Sequence, residues 1–122
     1  MYTKSERLIY SILGTTKSDI RPLTLAIEAI IDIHFIDCVP RWEIKICEAI
    51  YQSVADKINK SASSTSRSIQ RLSNECWDIA KRRGMINTIV GIDLNESPDP
   101  SDIVFYFAFL VHFDKPFFDI LK

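Results

Sequence analysis

Apolar side chains recur every three or four positions along this chain, and nowhere do they alternate over the length of a strand. A repeat near 3.6 puts the apolar residues of a segment on one side of a helix, whereas a half-buried strand needs a repeat of two. Only three Gly interrupt the segments, so the pattern predicts an all-α fold. At 122 residues the chain suits one domain able to bury its own core. The expected architecture is a compact single domain of about five to six helices, with a helix-turn-helix over residues 42–83.

Ser5 to Leu13 reads as a first helix with Leu8, Ile9, Ile12 and Leu13 apolar, and Gly14 is its stop. A second is expected from Pro22, a residue suited to a first helical turn. Its Leu25, Ile27, Ala29, Ile30, Ile33 and Ile36 leave it apolar on most sides, which marks it as the central buried helix. Asp37-Cys38-Val39-Pro40 breaks it, and a third helix is expected from Pro40 through Trp42, Ile44, Ile46, Cys47 and Ile50 without interruption to Asn59. After Gly84, Met85 to Ile92 reads as a turn or helical stub, and Asn95 to Asp102 as a loop.

Asp99 as N-cap, Pro100 at the first helical position and Asp102 in the first turn announce a last helix, Ile103 to Phe113. It is apolar all round, so it must be covered on several sides. Either it is inserted in the core, or one side, with Phe105, Phe109, Phe113, Phe117 and Phe118, is a subunit contact in a homodimer. Its apolar run is about half of the ~20 residues that a bilayer requires, so no membrane partner is expected.

The centre of the chain carries the functional signal. Ile50, Val54 and Ile58 recur at i, i+4 and i+8, with Ala55 as the small residue where two helices would cross. Asn59 tolerates the left-handed backbone that ends a helix, and the hydroxyls of Ser61, Ser63 and Ser64 can cap the next one. In that second helix, residues 63–83, Thr65, Ile69, Leu72, Cys76 and Ile79 fall on one side. Ser63, Arg67, Gln70, Arg71 and Asn74 fall on or near the other. Arg offers two parallel donors to guanine, and Asn or Gln pairs with adenine, so such a face carries the groups that read base edges. A polar outer face is also what any amphipathic surface helix shows.

Charge is distributed unevenly. Residues 1–56 carry six basic and eight acidic side chains, and residues 84–122 carry two basic and six acidic. Between them, Lys57, Lys60, Arg67, Arg71, Lys81, Arg82 and Arg83 face only Glu75 and Asp78. With a net charge of −1 the whole chain is no indiscriminate polyanion binder, but this segment is a candidate DNA footprint. In it Ser64, Arg67, Gln70, Arg71 and Asn74 are the candidate base readers. Lys57, Lys60, Ser61, Ser63, Lys81, Arg82 and Arg83 are the candidate phosphate binders.

Other chemistries find little support. Cys38, Cys47 and Cys76 are odd in number and have no Cys-x-x-Cys spacing, so they read as small buried apolar residues in a reducing cytoplasm. His34 and His112 sit in apolar stretches and read as structural. There is no glycine-rich phosphate loop, no metal-ligand cluster and no nucleophile with a base partner, so neither an enzyme nor a cofactor is expected. Lys4, Glu6 and Arg7 interrupt any signal-like apolar run.

The order of these segments resembles the DNA-binding effector domain of the sporulation stage zero protein A family, response regulators that initiate endospore formation. The resemblance covers nearly the whole chain. It is most specific at Ile50-Tyr51 followed by Val54-Ala55-Asp56-Lys57-Ile58-Asn59, against the family's Leu-Tyr-x-x-Ile-Ala-x-x-Phe-Asn. It continues through Ala62-Ser63 and Arg67, through Arg83-Gly84-Met85-Ile86, and through Pro98-x-x-Ser101-Asp102-Ile103. Matching Ala62-Ser63 puts the family's reading positions at Ser64, Ser66, Arg67, Gln70 and Arg71, with four extra residues after Trp77. Matching Arg83-Gly84 puts them at Ser68, Gln70, Arg71, Asn74 and Glu75, with the extra residues in the turn.

The resemblance implies a cytoplasmic, sequence-specific transcription regulator whose partners are double-stranded DNA and RNA polymerase. Several family charges are replaced here by Ser or Gln, which implies a different sequence preference. The family's phosphorylated receiver domain has no counterpart in 122 residues, so the chain reads as a stand-alone effector or an excised one. The competing expectation is a paralogue that does not bind DNA and acts by protein contact with a sporulation regulator or the polymerase.

Overall fold

The computed structural model describes residues 1–121, and among these every regular element is helical. The helices are α1 (Lys4–Leu13), α2 (Arg21–Ile30), α3 (Gln52–Ile58), α4 (Ala62–Arg82), α5 (Ile86–Val90), α6 (Pro100–Phe113) and α7 (Phe117–Ile120). α2 continues into a π-helical turn, Ile31–Ile36, and a second one, Ile46–Tyr51, runs straight into α3.

Two helices make the centre. α2 packs on α1, α3, α4 and α6, while α6 packs on α1, α2, α4 and α5. Leu23, Ile27 and Ile30 of α2 meet Ile103 and Phe107 of α6 in a core closed by Ile9, Ile50, Ile69, Leu72 and Trp77, all at most 2% exposed. The helix that is apolar on every side is thus a core helix. Phe105 is buried, which withdraws it from the expected subunit contact, while Phe117 and Phe118 are half-buried with their rings against Tyr106 of their own chain. Of the five phenylalanines only Phe113 is classed as exposed, and Phe109 is half-buried against Phe35 and Phe117.

The third helix does not run unbroken from Pro40. A 3-10 turn at Arg41–Glu43 gives way to extended backbone at Ile44 (ψ 114°) and Lys45 (ψ 97°) before the helix resumes at Ile46. The break lets Ile44 enter the core at 7% exposure and leaves Trp42 outside at 85%. A continuous helix would have set Trp42, Ile46 and Ile50 on one side. Burial of Ile44 overrides that local preference, because helix propensity is a weak term beside tertiary packing. Ile36, expected within the buried helix, is also outside at 65%.

The helix ends obey local chemistry. Thr3 and Glu6 form a reciprocal capping box at α1, and Gly14 ends that helix at φ 72°. Asp99 occupies the N-cap position of α6 with Pro100 after it, although its carboxylate makes no capping bond. Cys76 is buried as expected, but Cys38 and Cys47 are exposed. Cys38 sits at φ 59° in the break after Ile36, a position set by the backbone reversal rather than by burial.

Candidate nucleic-acid interface

α3 and α4 are joined by three residues, Asn59, Lys60 and Ser61. Asn59 takes the left-handed conformation (φ 57°, ψ 48°), and the Lys60 N–H donates to the Ala55 carbonyl at 3.0 Å, so the last turn of α3 is closed. Ser61 is the N-cap of α4, its Oγ accepting the Ser64 N–H at 3.2 Å. Ala55, with no exposed surface, marks the close approach of α3 to its neighbours.

α4 divides sharply around its axis. Thr65, Ile69, Leu72, Ser73, Cys76, Trp77 and Ala80 are buried. Ile79, expected on that side, is half-buried, while Trp77, two residues before it, and Ala80, one after, take the inward positions and Asp78 is exposed. The opposite stripe of Ser63, Arg67, Gln70, Arg71 and Asn74 is exposed along its whole length. Arg67, Gln70, Arg71 and Asn74 span about 10 Å of axis at ~1.5 Å per residue, a length that fits in a major groove. Ser64 is half-buried beside the stripe, and its N–H is committed to the cap.

The local contacts of these side chains are light. Arg71 lies 3.9 Å from Glu75, one turn on, and Gln70 donates to Ser66 at 3.3 Å. Such exposed helical pairs contribute only about 0.3–0.5 kcal/mol, so a stronger partner displaces them at small cost. Each lysine of the turn region has an acid within electrostatic reach. Asp19, whose carboxyl is held below its usual range chiefly by the Arg21 guanidinium, also feels Lys60. Glu28 is pushed up mainly by burial, and Lys57 opposes that shift.

Two acidic features bound the stripe. Gln70 borders a shallow groove with Tyr51, Asp99, Pro100 and Ser101, so the Asp99 carboxylate stands where a phosphate would be repelled. Asp78 is exposed one turn beyond Asn74. Lys81 and Arg82 are exposed too, but they lie ~10–12 Å past Asn74 along the axis and beyond that acid.

Arg83 takes a role that differs from the expected one. Its Nη1 donates to the carbonyl oxygens of Ser11 at 3.1 Å and Ile12 at 2.9 Å, at the C-terminal end of α1. It therefore closes helix carbonyls at the end of α1. No signal local to residue 83 announced this, because the partner lies 71 positions away. The sequence likewise gave no sign that His34, Arg41, Asp102 and Phe105 would converge, since they come from separate segments.

Among the described residues no group of three His, Cys, Asp or Glu side chains could hold a metal ion. His34 is half-buried with Nδ1 2.8 Å from the Val39 carbonyl oxygen, while His112 is exposed and stacks on Phe35. Among the described residues no helix is long and apolar enough to cross a membrane.

Fold and stripe together define a small all-α domain that presents one polar helix face carrying two arginines beside a three-residue turn. No protein-family model, curated protein or solved structure matches the chain at a significant level.

Proposed function

We propose that this protein is a sequence-specific DNA-binding transcription regulator that uses α3 and α4 as a helix-turn-helix. The observation that carries the reading is the exposed stripe of Arg67, Gln70, Arg71 and Asn74 on the side of α4 opposite Ile69 and Leu72. These four contact base edges in the major groove, Arg with guanine and Gln or Asn with adenine. Lys57, Lys60, Ser61 and Ser63 bind phosphates at the turn end, where the first N–H groups of α4 add their partial positive charge. Ser61 can serve both needs, since its oxygen accepts the cap bond while its O–H still donates.

The resemblance to the sporulation stage zero protein A effector domains supports the same assignment. A turn of three residues has no space for four additional ones, which favours matching Ala62-Ser63 to the family. The extra residues then lengthen α4 by about one turn after Trp77.

A second reading, regulation by protein contact with a sporulation regulator or RNA polymerase, is favoured by the exposed apolar side chains Ile36, Trp42 and Phe113 and by Asp99 beside Gln70. Selection of bound sequences from a random duplex pool, followed by anisotropy titration at moderate salt, separates the two. The DNA reading expects a recovered consensus bound more tightly than its scrambled version. No enrichment, with a stable complex to such a partner, would favour the second.

A further inference from the structure

A cavity of about 250 Å³ lies between α6, α7 and the segments that carry His34 and Arg41. Its walls are aromatic: Phe109 and Phe117 meet edge to face at 4.7 Å, and Phe105 is 6% exposed. At its rim the Arg41 guanidinium lies 4.1 Å from the centre of the Phe105 ring and 3.5 Å from Asp102 Oδ1. That ion pair is longer than the ~2.7–2.9 Å of a charge-assisted hydrogen bond. The two side chains are 38% and 51% exposed, so each charge has room for a second partner.

Opposite charges at one rim select against a simple ion. A lone carboxylate drawn to Arg41 meets repulsion from Asp102, and a lone amine drawn to Asp102 meets Arg41. A molecule carrying both charges a few ångströms apart satisfies both, as the α-carboxylate and α-ammonium of a free amino acid do. The ring walls add the preference for an aromatic side chain. Two further groups are set to hydrogen-bond. Burial, then the charge of Asp102, pushes the Tyr106 phenol up, which keeps it a donor. His34 Nδ1 faces a carbonyl oxygen, which only accepts, so Nδ1–H donates there and Nε2 is left for a second partner.

We propose that this cavity binds a free aromatic amino acid, its carboxylate on Arg41, its ammonium on Asp102 and its ring against Phe109 and Phe117. The proposal is independent of the DNA reading. Calorimetric titration of the whole chain with L-phenylalanine and L-tryptophan tests it, with L-alanine, 3-phenylpropionate and phenethylamine as controls. The expected result is saturable binding of at least one aromatic amino acid, none of alanine, and about tenfold or greater weakening for the singly charged analogues. Asp102→Asn is nearly isosteric at a half-exposed position, and thermal melting checks that it folds. It should abolish the preference for the amino acid over 3-phenylpropionate. The proposal is overturned by no saturable binding of either amino acid up to about 10 mM, by equal binding of the analogues, or by an unchanged preference in Asp102→Asn.

Discussion

The Arg83 guanidinium lies 2.9 Å from the carbonyl oxygen of Ile12, joining the end of α4 to the end of α1 across 71 positions of sequence. Hydrogen bonds from a charged donor contribute about 1.5–3 kcal/mol, and leaving the acceptors unsatisfied adds to the loss. Arg83→Ala should therefore lower unfolding free energy by ~1–3 kcal/mol in chemical denaturation while leaving the salt dependence of DNA binding unchanged. An unaltered denaturation midpoint together with a reduced salt slope would return Arg83 to the DNA footprint.

Two carboxylates near the lysines of the turn region should act oppositely with pH. Asp19 is lowered in the folded chain, chiefly by Arg21, so its contribution is present above its unfolded pKa and lost as pH falls through the folded value. That window lies below 3.8, the ordinary value of an aspartate carboxyl. Glu28 is raised, chiefly by burial, so its protonated form favours folding; stability from this group is full below 4.5 and lost as pH rises through the folded value. Glu28→Gln should then stabilise the protein at neutral pH and change little near pH 3, whereas Asp19→Asn should destabilise it at neutral pH. Both effects should be small, because the Asp19 side chain is 39% exposed and Glu28 is half-buried. Denaturation midpoints across pH check the signs, and a stabilising Asp19→Asn at pH 7 would contradict them.

The three thiols should separate by reactivity. Cys38 and Cys47 are exposed, while Cys76 has no exposed surface and burial pushes its thiol up to about 12. Since the thiolate is the nucleophile, two thiols per chain should react with an aromatic disulfide reagent under native conditions. The third should appear only after unfolding. Rapid native reaction of all three would show that α4 does not pack as described.

What could be read from the residues was mostly local. Asn59 and Ser61 announced the turn because a left-handed cap and a hydroxyl N-cap are properties of single positions. Pro100 announced α6 in the same way. The exposure of Arg67, Gln70 and Arg71 followed from the 3.6 repeat set by Ile69 and Leu72. Missed were features that depend on partners distant in sequence. Trp42 was expected inside an unbroken helix until Ile44 took the interior, and Arg83 looked like a surface charge until α1 offered its carbonyls. Phe105 could be assigned to the core only once α6 had neighbours.

The central claim is that the outward stripe of α4 reads bases while the turn holds the backbone. It is tested most directly by anisotropy titrations of the unaltered protein, Arg71→Ala and Lys60→Ala on the selected duplex and a scrambled one, over a range of salt. Arg71→Ala should lose ~1–3 kcal/mol on the selected duplex and little on the scrambled one. Lys60→Ala should weaken both alike and lower the salt slope by about 1. If the two substitutions have the same effect on every sequence, the division of roles between Arg71 and Lys60 is wrong.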